Sequence, residues 1–69
     1  MNNKIKVERA KMNITQEQLA KKVGVSRQAI NSIELGKYIP STLLALKIAH
    51  FFKKPVDEIF YLEDTDLEI

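Results

Sequence analysis

A single glycine, Gly24, divides the stretch "TQEQLAKKVGVSRQAINSIELGK" into two amphipathic runs, and this constrains the fold more than any other feature of the chain. Before it, Leu19, Ala20 and Val23 fall on one helical face. After it, Ile30 and Ile33 form the inward stripe. Only Gly24, Val25 and Ser26 join the two runs, so the helices must cross steeply. Gly24 can adopt the left-handed conformation that reverses the chain, because it has no Cβ to clash. Ala20 is small enough to let the next helix approach. Thr15 and Gln18 have the spacing of a capping box, and Ser26 is placed to cap the second run. Gly36 closes it.

The flanking sequence also reads as helix. The spacing predicts a first helix over Lys4–Met12, with Ile5, Arg9 and Met12 on one face and Asn13 closing it. Glu8 falls near that face, an unusual place for a carboxylate. Pro40 disfavours helix at Ile39, so "YIPS" is a connection. Ser41 or Thr42 then caps a fourth helix, with Leu44, Ile48 and Phe52 repeating every four residues and Ala45 and Ala49 beside them. Leu43, Leu46 and Phe51 lie off that stripe, so this helix is central or is covered by a partner. Pro55 suits the first position of a short fifth helix, "PVDEIF", with Asp57 and Glu58 near its positive end. The tail "YLEDTDLEI" fits either a short strand or a frayed end. The expected fold class is all-α: a compact five-helix arrangement over residues 1–69, with the helix-turn-helix at 16–35 and an acidic tail at 61–69.

A chain of 69 residues supports one domain with a modest core, for which dimerisation is a common remedy. The absence of cysteine excludes disulfides and thiolate metal sites and suits a reducing compartment. No apolar run approaches the ~18 residues of a membrane span, and "MNNKIKVERAK" lacks the apolar core of a signal peptide. A cytoplasmic protein with no membrane partner is expected. Charge is unevenly placed. Residues 1–40 hold eight Lys/Arg against three Glu, whereas residues 41–69 hold three Lys against six Asp/Glu. A basic front and an acidic back suit a polyanion on one side only.

The polar residues of the second run identify that polyanion. Arg27, Gln28, Asn31 and Ser32 share the face opposite Ile30 and Ile33, and the packing gives them no structural work. Amides of Gln and Asn pair two-point with adenine edges, and Arg does so with guanine. The face therefore suits base reading in the major groove of double-stranded DNA. The N-terminus of the preceding helix, at Thr15 and Gln16, offers unpaired N–H groups to a phosphate, and Lys37 could anchor the other strand.

The same stretch resembles the lambda-repressor/Cro-like (xenobiotic-response-element-like) helix-turn-helix regulators. The matching elements are T-Q-E-x-L-A, V-G-V-S-R-Q and I-E-x-G-x-x-x-P-S, and the likeness runs from about residue 4 to residue 60. It is greatest to short members of about seventy residues. The resemblance implies a five-helix fold, dimeric binding to a near-palindromic operator and transcriptional regulation. It places base-reading roles on Arg27, Gln28, Asn31 and Ser32, and DNA-backbone contacts on Gln16, Ser26, Lys37, Tyr38 and Ser41. It also implies a pairing of Arg9 with Glu34 that locks the first helix to the reading helix. The bland alternative is a surface pair contributing about 0–1 kcal/mol. Two positions depart from the family pattern. Glu8 stands where a leucine is common, which predicts looser packing of the first helix, and Lys53 stands where a glycine often ends the fourth.

Other readings carry less. His50 is the sole histidine and has no partner at ligand spacing; the acidic residues 57–68 lack the glycine and alternating oxygens of a calcium loop. No metal, cofactor or small-molecule ligand is expected. No nucleophile–base pair, paired carboxylates or phosphate loop suggests an enzyme. Leu43, Phe51, Phe60, Tyr61 and Leu62 exceed the apolar surface a small monomer needs, which predicts a homodimer seam. The functional expectation is a DNA-binding regulator, acting as a repressor. The alternative is an antitoxin-type or other protein-binding module that autoregulates its operon.

Overall fold

The protein is described by a computed structural model over residues 1–68. In chain order it comprises β1 (Asn2–Asn3), α1 (Ile5–Met12), α2 (Gln16–Val23), α3 (Arg27–Glu34), α4 (Thr42–Phe52), α5 (Val56–Ile59) and β2 (Phe60–Tyr61), followed by a 3-10 turn at Asp64–Leu67. The five helices stand where the sequence places them. α2 packs on α3 and on α4, and α5 packs on α4. Ile5, Leu19, Ile30, Ile33, Ile48 and Ile59 form the fully buried centre.

The helix ends follow one scheme. Asn13, Gly24, Gly36 and Lys53 all have positive φ. At each, the following N–H bonds back to a carbonyl five residues earlier: Ile14 to Arg9, Val25 to Ala20, Lys37 to Ser32 and Lys54 to Ala49. These left-handed caps satisfy carbonyls that the helix leaves unpaired. Two of the four are not glycine. Lys53 keeps the left-handed geometry at φ 57° rather than ending the helix differently. The caps at the other ends are equally local. Thr15 and Gln18 form the capping box, Ser26 Oγ accepts from the Ala29 N–H, and Ser41, not Thr42, caps α4 by accepting from the Leu44 N–H.

Several expectations are corrected. α1 starts at Ile5 rather than Lys4, and Met12 is 48% exposed instead of lying on its core face. Its buried positions are Ile5 and Glu8. Pro55 precedes α5 as its cap and is not its first residue. The C-terminal strand is only Phe60–Tyr61, and its partner is an N-terminal strand that no pattern announced. The two pair antiparallel, Asn2 with Tyr61 and Asn3 with Phe60. The tail beyond it is neither strand nor frayed through Leu67. Asp66 accepts from the Glu63 N–H at 2.8 Å and pairs with the Met1 amine at 2.9 Å. Both contacts hold its carboxyl below the usual range, the backbone bond foremost.

Glu8 is buried and held by two lysines. It is 6% exposed, and its Oε2 receives Lys54 Nζ at 2.9 Å and Lys11 Nζ at 3.2 Å. The two unusual positions thus meet: the left-handed turn at Lys53 delivers Lys54 to Glu8, tying α1 to the α4–α5 connection. The Lys54 hydrogen bond, aided by Lys11, lowers the Glu8 pKa against the opposing effect of burial. Glu8 correspondingly raises that of Lys54.

Candidate nucleic-acid interface

α3 is held to the domain by Ile30 and Ile33, which are 0% and 1% exposed. Residues on the opposite face must then point outward, because the helix repeats every 3.6 residues. Arg27, Gln28 and Asn31 are exposed there, and Ser32 is half-buried at the edge. The N-terminus of α2 lies beside them. Arg27 shares a cleft with Arg9, Thr15, Gln16 and Glu17. Thr15 Oγ1 takes the Gln18 N–H. The N–H groups of Gln16 and Glu17, in the first turn, have no intrahelical acceptor and are oriented for an anion.

The backbone-contact candidates divide by geometry. Thr15, Ser26 and Ser41 are exposed, but each hydroxyl already accepts a helix-capping bond, leaving only its proton to give. Lys37 and Tyr38 are exposed just past α3, and their N–H groups both bond the Ser32 carbonyl, so the chain leaves the helix in a fixed direction. Gln16 also has partners within the chain. Its Nε2 donates to Asn31 Oδ1 and to Glu34 Oε1, each at 3.1 Å.

Arg9 and Glu34 pair as expected, and they are well covered. Arg9 Nε and Nη2 donate to Glu34 Oε2 and Oε1 at 2.7 and 3.1 Å, and Arg9 Nη1 donates to the Ile14 carbonyl at 3.0 Å. Their side chains are 14% and 7% exposed. The bond to Glu34 raises the Arg9 pKa further, so the guanidinium stays charged. This clamp fixes α3 against α1 and against the start of α2. A second tether escaped the sequence reading. Asn3 Nδ2 donates to the Ile33 carbonyl at 2.8 Å, and the Ile5 N–H donates to Asn3 Oδ1 at 3.2 Å. Its only signal was an amide two residues ahead of an apolar run. Leu35 was also missed. It is 60% exposed at the C-terminal end of α3, four residues after Asn31, and helical spacing alone puts it on that face.

The five seam candidates do not come together. Phe60 is 6% exposed and belongs to the chain's own core. Phe51 is half-buried and flanks a cleft with Ile14, Gln18, Lys21 and Lys22. Tyr61 and Leu62 instead line an apolar groove with Ile39, Leu46 and Val56. Leu43, at 64% exposure, is the fifth. Among the described residues, no helix is long and apolar enough to cross a membrane.

Comparison with known proteins agrees with this geometry. The sequence pattern of the helix-turn-helix family matches residues 5–59. The chain is 58% identical over 66 residues to an uncharacterised HTH-type transcriptional regulator of Methanocaldococcus jannaschii, covering 96% of this chain and all of the relative. It is 47% identical over 66 residues to the uncharacterised HTH-type transcriptional regulator YgzD of Bacillus subtilis, again covering 96% of this chain and all of the relative. The HTH-type transcriptional activator BcrR of Enterococcus faecalis is 40% identical over 63 residues, which are 91% of this chain but 31% of that protein. The chain therefore belongs to the lambda-repressor/Cro-like helix-turn-helix family of DNA-binding transcriptional regulators, which are not enzymes.

Proposed function

We propose that the protein is a cytoplasmic repressor that binds a near-palindromic operator as a homodimer, one α3 in each of two successive major grooves. The observation that carries this reading is the outward face of α3, where Arg27, Gln28 and Asn31 are exposed on a helix clamped by Arg9–Glu34. Such groups gain most from base edges and little from water alone. Arg27, Gln28, Asn31 and Ser32 read bases. The α2 N-terminus, Lys37, Tyr38 and the hydroxyls of Ser26 and Ser41 hold phosphates. Dimerisation uses the apolar groove around Leu46, Tyr61 and Leu62, with Leu43 at its margin, in place of the seam through Phe51 and Phe60. Repression follows from occupancy, since a dimer across two grooves blocks other proteins from the same DNA.

In vitro selection from a random double-stranded library tests the reading. The expected product is an enriched site with two related half-sites about 34 Å, or one helical turn, apart. Enrichment of no sequence would refute it, and a single unrepeated half-site would refute the dimer.

A further inference from the structure

We propose, resting on the reading of α3 as the helix that enters the major groove, that Asn3 is a positioning residue for it. Its side-chain amide fixes the last turn of α3, so recognition of DNA depends on a strand outside the helix-turn-helix.

Ile30 and Ile33 bury one face of α3. Apolar contact is not directional, so it opposes small rotations and slides of the helix only weakly. Directional bonds must stop them. At the start of α3 that bond is local, since Ser26 Oγ accepts the Ala29 N–H. At the far end, the Arg9–Glu34 pair acts through two long side chains, whose torsions can follow a shifted helix. Asn3 instead grips the main chain. Its Nδ2 donates to the Ile33 carbonyl at 2.8 Å. Among the described residues, no other element outside the Ser26 cap sends a hydrogen bond to the α3 backbone.

Asparagine is short, and Asn3 is itself fixed. It pairs with Phe60 in the sheet, and the next N–H, of Lys4, donates to the Ile59 carbonyl at 2.8 Å. Its Oδ1 accepts from the Ile5 N–H at 3.2 Å. The amide cannot flip, because its NH2 would then face the Ile5 N–H and its oxygen the Ile33 carbonyl. The Ile33 carbonyl also accepts from the Gly36 N–H at 3.0 Å, and its two lone pairs serve both donors. One half-buried amide thus locks the last turn of α3 to the first turn of α1 and to the sheet.

The consequence is graded along α3. Asn31 and Ser32 immediately precede Ile33, whereas Gln28 lies five residues, about 7.5 Å, away beside the Ser26 cap. Without the tether the last turn can shift while the first stays. Contacts from Asn31 and Ser32 then weaken, and those from Arg27 and Gln28 persist.

Two substitutions remove the tether and keep an acceptor for the Ile5 N–H. Asn3→Asp has the shape of asparagine without its donor; Asn3→Ser is neutral and too short to reach Ile33. The unaltered chain and both variants select sites from a random double-stranded library, at a temperature where circular dichroism shows the unaltered chain folded. Gln28→Ala and Asn31→Ala assign the base positions. Each Asn3 variant is expected to lose about tenfold in discrimination at the Asn31 position, the equivalent of one good base contact. The Gln28 position should be unchanged, as should non-specific affinity and salt slope in Asn3→Ser. Unchanged discrimination in either variant, or equal loss at every position, would overturn the proposal. So would a shallower salt slope in Asn3→Ser, which would make Asn3 a phosphate contact. Variants that fail to fold would also overturn it, since Asn3 would then hold the whole domain rather than aim one helix. Failure of the unaltered chain to select any sequence would instead overturn the DNA reading itself, and this inference with it.

Discussion

Removing Glu34 should destabilise the domain far more than removing an ordinary surface carboxylate. In Glu34→Ala, Arg9 loses two hydrogen bonds of 2.7 and 3.1 Å and keeps only the Ile14 carbonyl. The guanidinium stays charged, and its side chain is 14% exposed, so water can repay little of the loss. The Gln16 amide loses its acceptor as well. Breaking one partner of a covered pair costs about 3–5 kcal/mol. The remaining edge of exposure puts this case near about 3 kcal/mol. For a domain of this size about 1 kcal/mol moves the melting midpoint by about 4–8 °C, so the shift should be about 12–24 °C. With a urea m-value of about 1 kcal/mol/M, the urea midpoint should fall by about 3 M. Arg9→Ala, Glu34→Ala and the double substitution form a cycle. The expected coupling exceeds about 2 kcal/mol, because the second removal also takes away the stranded charge. Single losses below about 1 kcal/mol that add in the double variant would refute the clamp and leave a screened surface pair.

Four further outcomes are expected. Gln28→Ala should lose about 1–3 kcal/mol on the selected site and relax one base position, while Lys37→Ala should weaken all sequences alike and shallow the salt slope by about one; titrations at several salt concentrations separate the two. The Glu8 pKa is lowered in the folded state, chiefly by Lys54, so its contribution is full above its unfolded-state pKa and is lost as pH falls through the folded value. Urea midpoints measured below the ordinary carboxylate range should therefore fall less steeply in Glu8→Gln than in the unaltered protein, and parallel curves would contradict the ion-pair account. Lys53→Gly should stabilise by about 0.5–1 kcal/mol, because it relieves a side chain at φ 57° at a smaller entropic cost; a loss on urea unfolding would show that the lysine compensates elsewhere. Leu46→Glu combined with Leu62→Glu should leave a monomer at tens of micromolar by sedimentation and weaken operator binding at least tenfold, whereas a surviving dimer would move the interface away from the apolar groove.

The helices, their caps and the turn at Gly24 were legible because each depends on residues within four or five positions. Thr15, Ser26 and Ser41 cap through neighbours three residues on, and Ile30 and Ile33 mark the inward face by spacing alone. From that face followed the exposed one, with Arg27, Gln28, Asn31 and Ser32 in order. The family pattern added the Arg9–Glu34 pair, which spacing could not supply across 25 residues. Tertiary structure decided the rest, because those contacts join positions with no local relation. Asn2–Asn3 becomes a strand only because Phe60–Tyr61 passes beside it. Buried Glu8 takes its shorter ion pair from Lys54, 46 residues later, beside the local one from Lys11. Phe60 turned inward although its aromatic neighbours suggested a surface seam. The Gln16 amide finds Asn31 and Glu34 only because α3 places them against it. Sequence determined which side of α3 faces out; the packing of three helices determined which atoms of that side are free.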